Sequence, residues 1–492
     1  MRKPAASNDN TRNAAGPQMR EAAALLESGR VKEAEELCRS FLKIHPQDPD
    51  LHNLMGAVMM KQKNYAEAIP CFHKALEIVP MLVSFYLNLS IALRQGKRAA
   101  EAVPILKRAM QQWPDNPEVY LHLGHTARSL ENLVDARSCY EQAIALSPTH
   151  QQAWFYLGHV YELLGDFPQA VAGYTKAITL NPADRRALYY RAFCLLTMGD
   201  FKTGFQHYEL RWVQDDMPTL PSGLGGRRMW DGAPMKGTLL VLREQGIGDV
   251  IQCLRFLPLI KEKVGRLVVQ VPESLHALVK RMNVADEIIP PDALPECDSF
   301  IPFLSLPRVL AVDEAALVAT NAPYLRADAE RLAKWQERMK APGKKVGLVW
   351  RGASGHTNDH NRSMSLVILA RLLQRKDITF YSLQKGAGED ELAAFSNHRN
   401  LIPLGAEIKD YDDTAAILKQ LDVLISVDTS VVHLAGALGV KSWLMVPYVP
   451  DWRWMLNRED SPWYPSLRLF RQPQRKAWAP VIARLNEELQ KL

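Results

Sequence analysis

Two patterns of apolar positions divide the chain. In the first part, small residues recur every 34 positions: Ala34, Ala68, Ala102, Ala136 and Ala170, each followed twelve residues later by Pro46, Pro80, Pro114, Pro148 and Pro182. Five residues before each proline stands Phe41, Ala75, Ala109, Ala143 or Ala177, and Gly56, Gly124 and Gly158 precede three of the prolines by twenty-four. Small side chains at these places let two helices approach closely. Each proline ends the second helix, because it lacks an N–H and disfavours helix in the residue before it. The large residues Phe72, Tyr140, Trp154, Tyr161 and Tyr174 are expected to fill the gaps between repeats. A degenerate sixth copy, with Tyr189, Phe193, Gly199, Tyr208 and Trp212, is expected to close the array.

Beyond residue 236 short apolar runs alternate with helical stretches. Strands are predicted over 238–242, 266–271, 287–290 and 299–302, with helices over 249–264, 274–282 and 327–339. Past Gly343 the alternation restarts, with strands over 345–350, 379–383, 423–427 and 442–446 and helices over 366–373, 411–420 and 430–439. Such alternation implies parallel sheets, and two successive blocks imply two Rossmann-like domains facing a cleft. The 34-residue period is that of the tetratricopeptide repeat. The fold expected is therefore an α-solenoid followed by an α/β pair. The layout runs from a disordered lead-in (1–16) through about six repeats (17–213), a Pro- and Gly-rich linker (214–236) and a first α/β domain (237–342) to a second (343–492).

Composition narrows the partners. A net charge of +6 over 492 residues gives no strong polyanion signal, so no nucleic-acid partner is expected. The six cysteines are scattered without a C-x-x-C pair, which suggests a reducing, cytoplasmic setting and no structural zinc. The N-terminus lacks the apolar core of a signal peptide. The longest apolar candidate, 431–446, is interrupted by His433 and Lys441, so no membrane span is expected.

In open α/β sheets ligands bind beyond the carboxyl ends of the strands. Two loops there carry chemistry. In the first, Glu244-Gln245-Gly246-Ile247-Gly248-Asp249, Gly246 and Gly248 let the backbone turn and approach a ligand. Asp249 is either a helix cap or a general base facing the cleft. Ile251 replaces the third glycine of a dinucleotide fingerprint. In the second, Asp428-Thr429-Ser430 opens a helix whose free N–H groups can hold phosphate oxygens, with His433 one turn on. His433 is otherwise an interior histidine.

Together, Gly246-Ile-Gly-Asp249 and Asp428-Thr-Ser-Val-Val-His433-Leu-Ala-Gly-Ala-Leu-Gly439 resemble the bacterial heptosyltransferases of glycosyltransferase family 9, which have the two-domain GT-B fold. With the repeats, and with Tyr208-Glu-Leu-Arg-Trp212, Arg243-Glu-Gln and Asp451-Trp-Arg-Trp454, the chain is similar to bacterial flagellin-modifying glycosyltransferases. The resemblance implies that Asp249 deprotonates an acceptor hydroxyl, and that Asp428, Thr429, Ser430 and His433 bind the donor's nucleotide and phosphates. It also implies a donor-phosphate loop from Arg351 through Ser354, Gly355 and His356 to Asn358 and Arg362-Ser363, with Arg362 where the family tends to carry lysine. Gln384 and Lys385 would touch base or ribose.

The implied activity is an inverting transfer from a nucleotide sugar, used as co-substrate with no resident cofactor. No D-x-D stands in a suitable loop, and Asp412-Asp413 reads as a helix cap, so no metal site is expected. The C-terminal aromatics Trp443, Tyr448, Trp452, Trp454, Trp463, Tyr464 and Trp478 are expected to pack a last helix crossing back between the two domains, with Arg453 and Arg458 candidates to reach the cleft. The repeats would recruit a protein or peptide acceptor in their groove. Two alternatives remain at this point: a lipopolysaccharide or other glycan transferase whose repeats only recruit partners, and a non-catalytic repeat scaffold.

Overall fold

The computed structural model describes residues 16–213, 220, 222–224, 226–320, 323–355 and 358–492. The expected lead-in therefore lies, but for Gly16, outside the described residues, as do 214–219, 221 and 225 of the expected linker and His356 of the expected phosphate loop. The chain forms two compact units, Met1–Asp184 and Arg185–Leu492.

The first unit is five helix pairs: Gly16–Glu27 with Val31–Ile44, Pro49–Lys61 with Tyr65–Ile78, Val83–Gln95 with Ala99–Gln112, Pro117–Ser129 with Leu133–Leu146, and Gln151–Leu163 with Phe167–Leu180. Each second helix stops two residues before its proline. The residue between, such as Val79 (φ −131°, ψ 90°) or Asn181 (φ −141°, ψ 90°), has left helical geometry as a following proline requires. The alanines at 34, 68, 102, 136 and 170 are all fully buried.

Two further columns keep the same register. Asn64, Asn132 and Asp166 cap second helices by accepting a backbone N–H from the third helical residue. The turn between helices takes positive φ at Gly29, Lys63, Lys97, Glu131 and Gly165.

The large aromatics serve both within and between repeats: Tyr140 stacks on Tyr156 of the next pair with centroids 5.9 Å apart, and the Tyr161 hydroxyl donates to Glu141 of the preceding pair at 3.1 Å. A Cβ on Gly56 would stand 2.7 Å from the Phe72 ring, and one on Gly124 2.5 Å from Tyr140. Each of these rings seats on the glycine of its own pair, so glycine and aromatic are complementary halves of one helix–helix contact.

The sixth copy, Arg185–Thr197 with Phe201–Tyr208, belongs to the second unit rather than to the solenoid expected over 17–213. Its Leu196, Phe201, Phe205 and Tyr208 share a core with Trp452, Trp454 and Trp463. The Phe205 and Trp452 rings meet edge to face at 5.5 Å. The large aromatics of this copy thus serve a new neighbour.

The second unit holds two wholly parallel sheets. In the first, the order is β1 (Arg228–Met229), β5 (Ser299–Pro302), β2 (Met235–Leu242), β3 (Val264–Gln270) and β4 (Glu287–Ile289). In the second it is β11 (Leu467–Arg471), β10 (Ser442–Val446), β9 (Val423–Val427), β6 (Lys344–Val349), β7 (Ile378–Ser382) and β8 (Leu401–Pro403).

Several expectations shift. Strand β1 and the start of β2 lie inside the segment expected to be linker, where Trp230 is also buried. The helix expected over 249–264 breaks into Ile247–Cys253, a 3-10 turn at Leu254–Phe256 and Leu257–Lys261, where Pro258 opens a new first turn. The last helix, Trp478–Leu489, does not cross back: its Val481, Ile482 and Leu485 cover one face of the second sheet with Trp443 and Phe470. Asp412 is not a cap, and Asp413 is not the N-cap but reaches back from the first turn to accept the Lys409 N–H at 3.0 Å. Asp410 caps Tyr411–Leu418, Asp412 pairs with Arg281, and Asp413 accepts from Arg331 and from the Trp335 indole N–H. Among the described residues no helix is long and apolar enough to cross a membrane, and all six cysteines are free thiols.

Candidate functional site

A cavity of about 820 Å³ opens between the two sheets of the second unit, walled by the loops that follow the carboxyl ends of β2, β6, β7, β9 and β10. It gathers Gly246, Gly248, Asp249, Arg351, Arg362, Gln384, Lys385, Asp428, Thr429, Ser430 and His433. Ser354 and Asn358 are exposed and do not line it, although Gly355 does.

The loop after β2 is set from behind. Glu244 is buried, and its carboxylate takes two hydrogen bonds from the Arg211 guanidinium and a third from the Leu304 N–H. Burial pushes the Glu244 carboxyl up in pKa, against the pull of Arg211. Gly246 begins the helix Ile247–Cys253, and Asp249 reaches back to accept the Gly246 N–H at 2.8 Å. The capping role of Asp249 is therefore present. Its other oxygen accepts from Arg453 Nη2 at 2.6 Å.

Arg453 ties the two walls. From the loop after β10 it also donates to Gln252 Oε1 at 2.6 Å and to Asp451 Oδ1 at 2.9 Å, with its guanidinium 4.2 Å from the Trp452 ring centroid. Gly248 has a different use from ligand approach. A Cβ there would stand 2.9 Å from His433 Cδ2 and 3.5 Å from Ser430 Cα, so the missing side chain lets Ile247–Cys253 pack on Ser430–Ala437 from the facing sheet.

On the facing wall Thr429 precedes the helix Ser430–Ala437 without capping it by side chain, so its hydroxyl is not spent on the first-turn N–H groups. Ser430 Oγ lies 2.7 Å from the Tyr411 hydroxyl. His433 is buried, with Nδ1 3.0 Å from the Tyr464 hydroxyl and Nε2 3.7 Å from Asp428 Oδ1. Burial pushes the Asp428 carboxyl up, but His433 and the charge of Arg362 outweigh it and hold the group below the usual carboxylate range.

The loop after β6 is closed by its own polar ring. The Gly352 N–H donates to Ser363 Oγ at 2.9 Å, Ser363 donates to Asp359 at 2.7 Å, and Arg362 pairs with Asp359 at 3.3 Å. Arg351 is half-exposed and pairs with Glu391 at 3.4 Å. Lys385 turns its ammonium toward the carbonyls of Gly405 and Ile408.

Gln384 is a brace. Its Oε1 accepts the N–H groups of Trp350 and Arg351, both at 3.0 Å, and its Nε2 donates to the carbonyls of Arg351 and Ala387. Both amide donors are thus committed to the backbone rather than to a base or ribose.

The same device occurs twice more, and sequence reasoning missed it. Gln270, at the end of β3, accepts from Arg243 N, and Gln472, just past β11, accepts from Tyr448 N. In each case a glutamine at the end of one strand fixes the loop after its neighbour. The signal, at Gln270 and Gln384, was a glutamine directly ending an apolar run. Also unforeseen on the cavity wall are Arg243, Lys409 and Tyr411. Among the described residues no group of three or more His, Cys, Asp or Glu has a metal-holding arrangement.

Models of the tetratricopeptide repeat match residues 25–81 and 92–154, 56–117, and 152–184. The first unit is a tetratricopeptide-repeat solenoid. Over 315 residues the chain is 28% identical to protein FlbA of Caulobacter vibrioides, covering 58% of this chain and 52% of that one. The chain thus spans about half the length of the curated relative it matches. Among solved structures, a thermophilic TPR protein of Thermus thermophilus is 25% identical with a TM-score of 0.33, over 37% of this chain and 100% of that one. YrrB, described as a TPR protein with an unusual peptide-binding site, is 22% identical with a TM-score of 0.30, over 37% and 93% respectively.

Proposed function

We propose that the second unit is a nucleotide-sugar-dependent glycosyltransferase of the GT-B type, and that the repeats recruit its protein acceptor, flagellin-like in the sense of the family it resembles. One observation carries this: a single cavity, between the carboxyl ends of two parallel sheets, has a helix N-terminus flanked by arginines on one wall and a carboxylate on the other. The donor's phosphates fit against Thr429, Ser430 and the first turn of Ser430–Ala437, with Arg351 and Arg362 beside them. Negative charge grows on the leaving phosphate as its bond to the sugar breaks, and fixed donors there stabilise it. Asp249 takes the proton of the acceptor hydroxyl as the new C–O bond forms on the opposite face of the sugar, giving inversion. Both Asp249 oxygens already accept one hydrogen bond, and each keeps a lone pair.

The test is a thermal-shift panel of UDP, GDP, ADP, CMP and their sugar conjugates on the full chain. A nucleotide at 100 times its Kd should add about 2.7 kcal/mol of stability. No shift with any of them would remove the donor site. A second reading draws on the Asp249–Arg453 pair: with one oxygen on the Gly246 N–H and the other on Arg453, Asp249 holds the two walls together and the cleft only binds. In that case nucleotides bind, no sugar is transferred by the unaltered chain, and Asp249→Asn loses stability alone.

A further inference from the structure

The first helices of the third and fourth repeat pairs carry two arginines that form no ion pair among the described residues. Arg94 and Arg128 occupy the same repeat position, 34 residues apart. Both are half-buried, and Nε of each is shielded from solvent without a hydrogen-bond acceptor. Among the described residues neither guanidinium pairs with a carboxylate. This sets them apart from Arg30, Arg39 and Arg98 of the same unit, each of which pairs with a glutamate.

Arg128 instead lies over the Tyr156 ring, 5.4 Å from its centroid, with Nη1 3.5 Å from His159 Nδ1. Around them stand His122, held by Ser90 at 3.0 Å, and His125, held by the Tyr140 hydroxyl at 2.7 Å. Of the acids on these helices, Glu118 lies 3.0 Å from His150, and Glu162, at the repeat position of Arg94 and Arg128, accepts from the Tyr174 hydroxyl at 2.6 Å.

Two half-buried guanidiniums without an acid partner are costly to keep unless an anion completes them. Arginine forks match carboxylates in a bidentate way, and a Tyr face beside them suits an extended chain. We propose that Arg94 and Arg128 together receive the carboxylates of an acidic segment of a partner protein. This deepens the recruiting role given to the repeats and rests on that part of the proposed function alone; sugar transfer does not enter.

The experiment measures fluorescence anisotropy of a labelled, acetylated peptide of alternating Glu and Ala with the full chain at low salt, beside a Lys/Ala counterpart. The Glu/Ala peptide should bind, weaken steeply with added salt, and lose about tenfold or more in affinity with Arg94→Gln/Arg128→Gln, as expected for lost charge-assisted bonds. Arg39→Gln/Arg98→Gln, which removes the same charge from already paired positions, should leave the affinity within about twofold.

Arginine modification by phenylglyoxal on the unaltered chain needs no variant. The Glu/Ala peptide should slow labelling of Arg94 and Arg128 and spare that of Arg39. Equal binding of both peptides, unchanged affinity in Arg94→Gln/Arg128→Gln, or no protection would each overturn the proposal. So would full displacement by inorganic phosphate at equal charge, which would reassign the site to a free anion.

Discussion

Arg211 and Glu244 form a bidentate ion pair, with Nε 2.7 Å from Oε2 and Nη2 2.8 Å from Oε1. The pair lies inside the second unit, away from solvent, and Arg211 adds a bond to Ser305 Oγ at 2.8 Å. It joins the turn after the sixth helix pair to the first residue of the loop that leads to Gly246 and Asp249. Removing one partner leaves the other charged and buried, so Arg211→Met or Glu244→Leu should cost about 3–5 kcal/mol, while the double variant should recover much of that. Urea unfolding followed by the fluorescence of Trp452 and Trp463 checks it. Additive losses in the double variant would show that the two residues act separately.

Gly248→Ala tests the approach of the two helices. The added Cβ meets His433 Cδ2 at 2.9 Å, in a histidine held by Tyr464 and tilted against Trp454 with ring centroids 5.4 Å apart. The ring has little room to yield, so a loss of about 1–3 kcal/mol is expected. Gly246→Ala meets only Asp249 Oδ2, at 3.2 Å, and should cost less. Thermal denaturation of the two variants side by side gives the order, and equal effects would argue against the His433 contact.

Asp249→Asn separates proton transfer from architecture. As general base, Asp249 should contribute about 10²–10⁴-fold to transfer, while nucleotide affinity stays within a few-fold because the donor contacts lie on the other wall. The amide can still accept from Gly246 N–H or Arg453, so the cap and the tie are only weakened. Initial rates and nucleotide affinity measured on the same preparation decide the point, and full activity would remove the base assignment.

The turn column of the repeats predicts a gain. Lys63 and Lys97 hold φ of 60° and 59° where Gly29 and Gly165 stand in other pairs. A side chain in left-handed geometry costs about 1–2 kcal/mol, and glycine returns part of that as extra freedom in the unfolded chain. Lys97→Gly should therefore stabilise the solenoid by about 0.5–1 kcal/mol, read as slower hydrogen exchange in Val83–Gln95 and Ala99–Gln112. Destabilisation would mean that the lysine makes up the strain through its own contacts.

The repeats were legible because a period repeats its own signal: one proline column, one alanine column and one glycine column agree on the same boundaries. The central strands of the second unit were legible as apolar runs, and the cleft-facing loops followed from where such strands end. The two-residue β1 left no pattern, and the edge strands β8 and β11 were masked, β8 by its Pro403 and β11 by Arg468 and Arg471 within its apolar run. The fate of the sixth pair was not legible either, since Phe205 and Tyr208 look the same whether they meet a seventh repeat or Trp452. Asp249 could be named, but not its bond to Arg453, because 204 residues separate them. Glutamines at strand ends reveal their role only once the neighbouring strand is known.

The solenoid should weaken in mild acid. Burial, with the charge of Arg94 next, lowers the pKa of His122 to about 4 and contributes, with neighbouring groups, to lowering that of His125 to about 2; burial and Arg128 lower that of His159 to about 3. In the unfolded chain each titrates near 6.5. Above that pH neither state binds the proton and the three contribute nothing. As pH falls below about 6.5 only the unfolded chain takes up protons, so stability drops by about 1.4 kcal/mol per pH unit for each histidine, until the folded values are reached. Hydrogen exchange of Pro117–Ser129 and Gln151–Leu163 should therefore accelerate steeply between pH 6.5 and about 4. His125→Gln cannot titrate and should remove one of the three increments. Exchange that follows only the intrinsic pH dependence of amides, with no added loss of protection, would show that these rings can be protonated in place.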